Sequence, residues 1–201
     1  MGRLRAKLRL TEILMLLYHI LPQSAYEALV RRGYQIGDGR RAWVGMHHAY
    51  DWMVAQMERR LPKRPGKAGK YPVWAWASWR CNQLRPDLRY RGHLRSGTPG
   101  MLLTIEIDPS LVLLSDFNAW HMCLNNWYYA SSEEEDEAWE VRAAALPLGQ
   151  RQREKEQSWE KMFDLDSWRD PEWWGQIDGI QATFWVLEAS MVKAANPFKS
   201  R

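Results

Sequence analysis

The chain has 201 residues, of which 46% are apolar and 26% charged. That mix can bury a core, and it excludes a disordered tail, a collagen-like fibre and a disulfide scaffold. The formal net charge of +4 hides a split. Residues 1–100 hold 19 Lys/Arg against 6 Asp/Glu, and residues 101–201 hold 9 against 18. A basic first half suits phosphate-bearing partners, because it concentrates them locally and releases their counterions. The same split also suits two halves that pack together and neutralise each other.

Arg3, Arg5, Lys7 and Arg9 form a basic leader over 1–12. Ile13–Leu21 follows, an apolar run interrupted by Tyr18 and His19 and too short to span a bilayer. It reads as a buried strand that ends at Pro22. No convincing small-x-small cleavage site follows, so a basic leader and a first core strand are expected, with a signal peptide as the lesser alternative. Cys81 and Cys123 have no metal-ligand or disulfide-framework spacing. A cytoplasmic protein with free thiols, no bound metal and no membrane partner is expected.

Ser24-Ala-Tyr-Glu27 has capping-box spacing, and Gly33 ends the helix that it opens. Gly37-Asp-Gly39 is a turn. Apolar residues at three- and four-residue steps predict a helix over 43–61. A basic loop over 62–69 leads to the alternating strand Tyr71–Trp79, with Trp74, Trp76 and Ser78 on one face. Residues 85–100 are rich in Arg, Gly and Pro and read as a loop. Met101–Ile107 is a strand, Leu111–Leu114 a second short run, and Ser115 or Asp116 caps a helix over 117–127. The acidic run 131–137 opens a charged stretch, reading as surface helix to 162. Ile180–Leu187 is the last strand, and 188–195 a short helix or turn. Interleaved helices and strands predict the α+β class: a mixed, mainly antiparallel sheet with flanking helices. A single domain over 13–201 is expected, with a helical, acidic insertion over 131–175.

No P-loop, GxGxxG, GxSxG, HExxH or EF-hand motif is present, so candidate sites come from clusters. The ring nitrogens of His19 can hold a ligand's hydroxyls or be satisfied within a core. Arg85, Arg89, Arg91 and Arg95, with Tyr90 and His93 among them, offer guanidinium forks and stackable rings to a phosphate or a nucleic-acid strand. Asp87 offers one of them a local partner instead. Trp74, Trp76 and Trp79 are either a stacking platform or core filling. Asp116 can cap a helix or orient a histidine, and His121 and Asn125 lie four apart on one helix face. Gln181 points outward or into a site, and Glu106 faces water by alternation. The acidic 131–140 segment suits a basic protein partner.

The segments YHILPQSAYEALVRRG, AYDWMVAQM, YPVWAW, RPDLR, LLTIEID, LLSDFNAWHMCLNN, SWEKMFD and IQATFWVL, in that order, resemble a bacterial domain of unknown function, DUF3841, over nearly the whole chain. A strand with a histidine, a helix ending in Gly and a late polar-led strand resemble, more weakly, the ADP-ribosyltransferase fold. That likeness implies a toxin- or phage-defence-type enzyme that uses NAD, without a metal, to modify a phosphate-rich target such as nucleic acid. In it His19 orients NAD. Tyr26, Trp76 and Asn125 help line the NAD cleft, and Asp116, His121 and Gln181 stand at its reacting end. Where the fold wants a late Glu this chain has Gln181 and Thr183, so Glu106 or Asp116 would have to supply the negative charge. The alternative is a non-catalytic nucleic-acid- or protein-binding module.

Overall fold

The computed structural model describes residues 13–39, 44–80 and 83–201, so the basic leader expected over 1–12 lies outside the described residues. The elements in chain order are β1 (Met15–Pro22), α1 (Gln23–Arg32), β2 (Tyr34–Ile36), α2 (His47–Arg60), β3 (Val73–Ser78), β4 (Pro99–Ile107), β5 (Leu113–Asp116), α3 (Phe117–Leu124), α4 (Glu133–Ala144), α5 (Leu148–Trp159), α6 (Pro171–Trp174), β6 (Ile180–Phe184), β7 (Val186–Glu188) and β8 (Val192–Lys199). Six strands form a sheet in the order β5-β6-β3-β1-β4-β8, and β2 pairs with β7 in a separate ribbon. Every one of these pairings is antiparallel. The α+β class, with a mainly antiparallel sheet and flanking helices, is as expected.

Side chains alternate across a sheet, so register sorts the chain into two cores. On one face Leu17, Leu21, Val73, Ala75, Leu103, Ile105 and Phe184 pack beneath Leu29 of α1. The other face holds the row Ser115, Gln181, Trp76 and Tyr18, which the strand pairings place side by side. On that face Leu113 joins Met53 and Met57 of α2, Trp120 of α3 and Trp159 of α5 in a second core. Each fully buried Leu or Met contributes about 1.5–3 kcal/mol by leaving water.

Four local expectations need correction. Ile180–Leu187 is not one final strand. It splits at Trp185 between the sheet and the ribbon, and only Ala189–Met191 of the expected terminal helix or turn is helical, as one 3-10 turn. The chain then forms β8 along β4. Lys, Ala, Asn and Pro are poor strand formers, but the edge of the sheet tolerates Pro197, and β4 supplies the hydrogen-bonding ladder. The capping box does not form either: α1 begins at Gln23, after Pro22, with no side-chain cap. Finally, the charged stretch is two helices, broken around Pro147. Ser132 caps the first of them by accepting from the Glu135 N–H, and Glu133, Glu134, Glu135 and Asp136 fill its first turn. Acidic side chains there complement the positive end of the helix dipole, so the acidic run has a local structural cause.

Gly33 closes α1 as expected, at φ 80° with its N–H bonded to the Leu29 carbonyl. A side chain there meets no neighbour but is forced into the left-handed region. Gly33→Ala is therefore expected to cost about 1–2 kcal/mol in denaturant unfolding, and Gly33→Asn less. Among the described residues, no helix is long and apolar enough to cross a membrane.

Candidate functional site: two adjoining clefts

His19 lies on β1 with the parity of Leu17 and Leu21, so it points to the α1 face. It is 8% exposed. It lines a cleft of about 690 Å³ together with Arg32, Gln35, Tyr50, Lys70 and Tyr71. Its Nδ1 is 2.7 Å from the Trp74 carbonyl, and its Nε2 is 3.3 Å from the Gln35 amide nitrogen. A carbonyl only accepts, so Nδ1 carries the proton and Nε2 accepts from Gln35. Burial pushes the pKa of His19 below its ordinary value, against the smaller raising effect of these two bonds. The imidazole is thus held neutral. The unfolded chain binds the His19 proton near 6.5, and the folded chain only at lower pH. Stability from this residue is therefore complete above about pH 6.5 and is lost as pH falls through that window toward the lowered folded value. His19→Gln is expected to shrink the stability difference between about pH 7.5 and pH 5.5 in urea unfolding. An unchanged difference would show that His19 does not titrate in this way.

The second cleft, of about 580 Å³, opens on the opposite face and is walled by Trp76, Trp79, Tyr90, His93, Phe117 and His121. The register of β3 against β6 shifts between Trp76 and Ser78. A bulge of this kind re-aims side chains, and here the Trp79 ring arrives edge-on against Trp76, with centroids 4.6 Å apart. Phe117 meets Trp76 at 5.0 Å, and His93 meets Trp79 at 4.9 Å. Gly179 permits this packing, since a Cβ there would stand 3.1 Å from the Trp76 ring. His93 Nε2 is 2.9 Å from the Asp87 carbonyl and His121 Nδ1 is 2.8 Å from the Phe117 carbonyl, so both nitrogens donate. The other nitrogen of each ring is left to accept. Burial lowers the pKa of His93, which favours its neutral form. Arg80, at the rim, has φ 38°, and its guanidinium lies 5.0 Å from the Tyr90 ring centre. Such non-glycine strain persists only where the surroundings enforce it.

Of the residues singled out in the sequence, Trp76, His121, Asn125 and Gln181 share this aromatic cleft. His19 does not. The single NAD cleft expected to join it to Trp76, His121, Asn125 and Gln181 is instead two clefts, whose common wall is Ile20, Tyr50 and Trp74. Tyr26 lines neither and packs against the sheet core. Asp116 is buried and lines neither. It caps α3 by accepting from the Asn118 and Ala119 N–H groups, and it pairs with Arg169. Glu106 pairs with Lys193 at 2.9 Å. Arg89 is held by a forked ion pair to Asp87, whose carboxyl it pulls down to about 2. Arg85, Arg91 and Arg95 are exposed and make no ion pair among the described residues. The loop that carries them is anchored, since Ser200 bonds Leu94, Gly97 and Thr98. Cys123 is fully buried, and burial pushes its thiol well up, so it is a poor nucleophile. Within the acidic run, Glu135 is taken by Tyr128, Lys161 and the Ser131 N–H. Arg32, Gln35, Tyr71 and Asp178 line the clefts without any sequence signal, because only the fold brings them there.

A six-stranded antiparallel sheet with α1 on one face, a helical layer on the other and two adjoining ligand-sized clefts defines an α+β protein outside the motif-marked enzyme classes. A family model matches residues 17–193, and the chain belongs to that family, the Domain of unknown function (DUF3841). No curated protein and no solved structure matches the chain. The family description names no activity, and these comparisons do not connect the chain with ADP-ribosyltransferases.

Proposed function

We propose that this chain binds a nucleotide, with the base in the aromatic cleft and the phosphates toward the arginine loop. The observation that carries this reading is the ring lining of the cleft, in which Trp76, Trp79 and His93 stand beside a loop whose Arg91 and Arg95 are exposed. Flat heterocycles stack on such rings whatever their sequence, and exposed guanidinium groups suit phosphate oxygens. The ligand would be a free nucleotide or a nucleic-acid strand met in the cytoplasm. Titrating nucleotides and short oligonucleotides against tryptophan fluorescence tests it. Quenching is expected, with oligonucleotide affinity falling steeply as salt rises. Unchanged fluorescence at millimolar nucleotide, together with no oligonucleotide binding, would overturn it.

A second reading makes the chain an ADP-ribosyltransferase-like enzyme. It would require one NAD to reach past the common wall of Ile20, Tyr50 and Trp74, since His19 lines one cleft and the stacking rings line the other. In that reaction the bond from the ribose to nicotinamide breaks and nicotinamide leaves with the electron pair. A nucleophile on the target then bonds the ribose carbon and gives up its proton. Asp116 and Glu106 are already paired, and in this reading the stabilising negative charge is assigned to Asp178, which lines the aromatic cleft. Incubation with labelled NAD, nucleic acid and protein is expected to release nicotinamide and transfer label. Neither signal appearing would overturn catalysis while leaving nucleotide binding intact.

A further inference from the structure

We infer that a further cleft, lined from α4, α5 and α6, binds a small zwitterion in which an organic ammonium is joined to a carboxylate. Its volume is about 520 Å³, the size of a small-molecule site, and it shares no lining residue with the two clefts above. The inference therefore stands apart from the nucleotide reading. Two of its tryptophans are left open: Trp127 is 57% exposed and Trp173 is 42% exposed. Among the described residues, neither has a second ring or a cation against its own ring. The rings beside them are already engaged. Tyr128 stacks on Trp139 with centroids 4.3 Å apart, Arg142 lies 5.4 Å from the Trp139 ring centre, and Trp174 meets Tyr129 edge-on at 4.8 Å. A single exposed aromatic ring is ordinary, but two on the walls of one cleft mark a place for a ligand.

The charges of the cleft fall into two poles. On α4, helical spacing sets Asp136, Trp139 and Glu140 on one face, and on α5 it sets Arg151 and Lys155 on one face. No ion pair joins these acids to these bases among the described residues. Lys155 donates to the Asn126 carbonyl at 2.8 Å, and Arg151 is exposed. Burial, and then repulsion from Glu140, Glu135 and Glu137, raises the Asp136 carboxyl above its ordinary value, while burial and Arg151 lower the Lys155 ammonium. Each pole thus repels itself. Helix formation does not account for this, because like charges four apart weaken a helix, and Glu140 lies beyond the first turn that the dipole favours. Two acids face two bases, so the lining is formally neutral. A bare cation would be drawn to α4 and repelled by α5, and a bare anion the reverse, whereas a zwitterion satisfies both. The Arg151 fork suits the carboxylate. The rings favour an alkylated ammonium, which is weakly hydrated and attracted to aromatic faces, as in the aromatic cages that hold quaternary ammonium groups.

The test is titration calorimetry of the full chain with glycine betaine, γ-butyrobetaine, choline and tert-butylacetate. The two betaines carry both charges at different spans. Choline carries the cation alone, and tert-butylacetate is the anionic carbon isostere of glycine betaine. The better betaine is expected to bind about fivefold or more tighter than choline or tert-butylacetate, the scale of one exposed charged contact. If either of those matches it, one pole is idle and the zwitterion is overturned. No heat from any of the four up to about 10 mM would overturn the site itself. Arg151→Gln is expected to bring the better betaine within about twofold of choline. Glu140→Gln is expected to weaken choline and both betaines by about threefold or more, without weakening tert-butylacetate. Both residues are exposed, and if Glu140→Gln fails to fold by circular dichroism, Asp136→Asn gives the same reading. A betaine advantage that survives Arg151→Gln unchanged would overturn the carboxylate end. Trp127→Leu and Trp173→Leu should each weaken the betaines and choline by about threefold or more. Unchanged affinity in both would overturn the role of the rings. Trp168→Leu, outside this cleft, should leave affinity as it is, and a loss there equal to that of Trp173→Leu would overturn the location.

Discussion

Asp116→Ala is expected to destabilise the protein by about 3–5 kcal/mol, the scale of a buried ion pair broken from one side. The Asp116 side chain is 2% exposed and that of its partner Arg169 is 7% exposed, so water screens neither charge. The two carboxylate oxygens divide the work. Oδ1 accepts from the Asn118 N–H at 2.7 Å and the Ala119 N–H at 3.3 Å, which starts α3, and Oδ2 takes the Arg169 guanidinium. Arg169 in turn bonds the Asp164 carbonyl and lies against the Tyr129 ring, 5.8 Å from its centre. Removing the carboxylate therefore strips a helix cap, worth about 1 kcal/mol. It also strands a guanidinium in a place where its remaining partners are neutral. Asp116→Asn keeps an oxygen for the cap and should lose less than Asp116→Ala. Arg169→Met leaves the carboxylate unpaired and should cost a comparable amount. The double variant Asp116→Asn/Arg169→Met should lose clearly less than the sum, because no buried charge remains. Urea midpoints at constant slope measure all four. A loss under about 1 kcal/mol for Asp116→Ala would mean that the pair is solvated in solution.

Much of the sheet can be read from local pattern, and what cannot is long-range. β1, β3 and β4 are recognisable because apolar runs and strict alternation mark interior strands, and Asp116 is recognisable as a cap because it precedes an apolar helical face. β8 has no such signal, since its strand character comes from the β4 ladder and not from its own residues. β2 and β7, three residues each, are shorter than any period that could announce them. The site divides in the same way. Tyr90, His93 and the neighbouring arginines stand out in composition, and His121 and Asn125 share a helix face. Yet the face on which His19 lies relative to Trp76 depends on the pairing of Tyr18 with Trp76, which is not a local property. His19 and Trp76 belong to opposite faces, and this is why an expected single cavity becomes two. The arrival of Trp79 beside Trp76 depends on a bulge, which leaves no mark in an alternating strand.

Nucleotide binding is expected to weaken by about 5- to 150-fold when Trp76 is replaced by Leu, the equivalent of about 1–3 kcal/mol for loss of one base-stacking ring. Trp76 is the ring that unites the cleft. It touches Trp79 and Phe117, stands over Gly179 and lies across the strand pairing from Gln181. Gly179→Ala makes the complementary perturbation. It alters no other residue of the cleft but introduces a methyl 3.1 Å from the Trp76 ring and 3.3 Å from the Ser78 carbonyl, so that the ring or the strand must give way. Weaker binding is expected there too, with smaller loss than for Trp76→Leu. Trp168, 69% exposed and outside the cleft, supplies the control: Trp168→Leu should leave affinity unchanged. Arg91→Ala and Arg95→Ala should behave differently from both. Each is expected to weaken oligonucleotide binding at low salt and to lower the salt dependence by about one counterion, without altering preference among bases. Stacking and charge are thereby separable in one set of titrations, because an uncharged ring changes affinity at every salt concentration and a phosphate contact changes the slope. Affinity loss in Trp76→Leu that merely tracks a lowered unfolding midpoint, and returns at a temperature where the variant is fully folded, would assign that ring to the core alone and remove the main support for a base in this cleft.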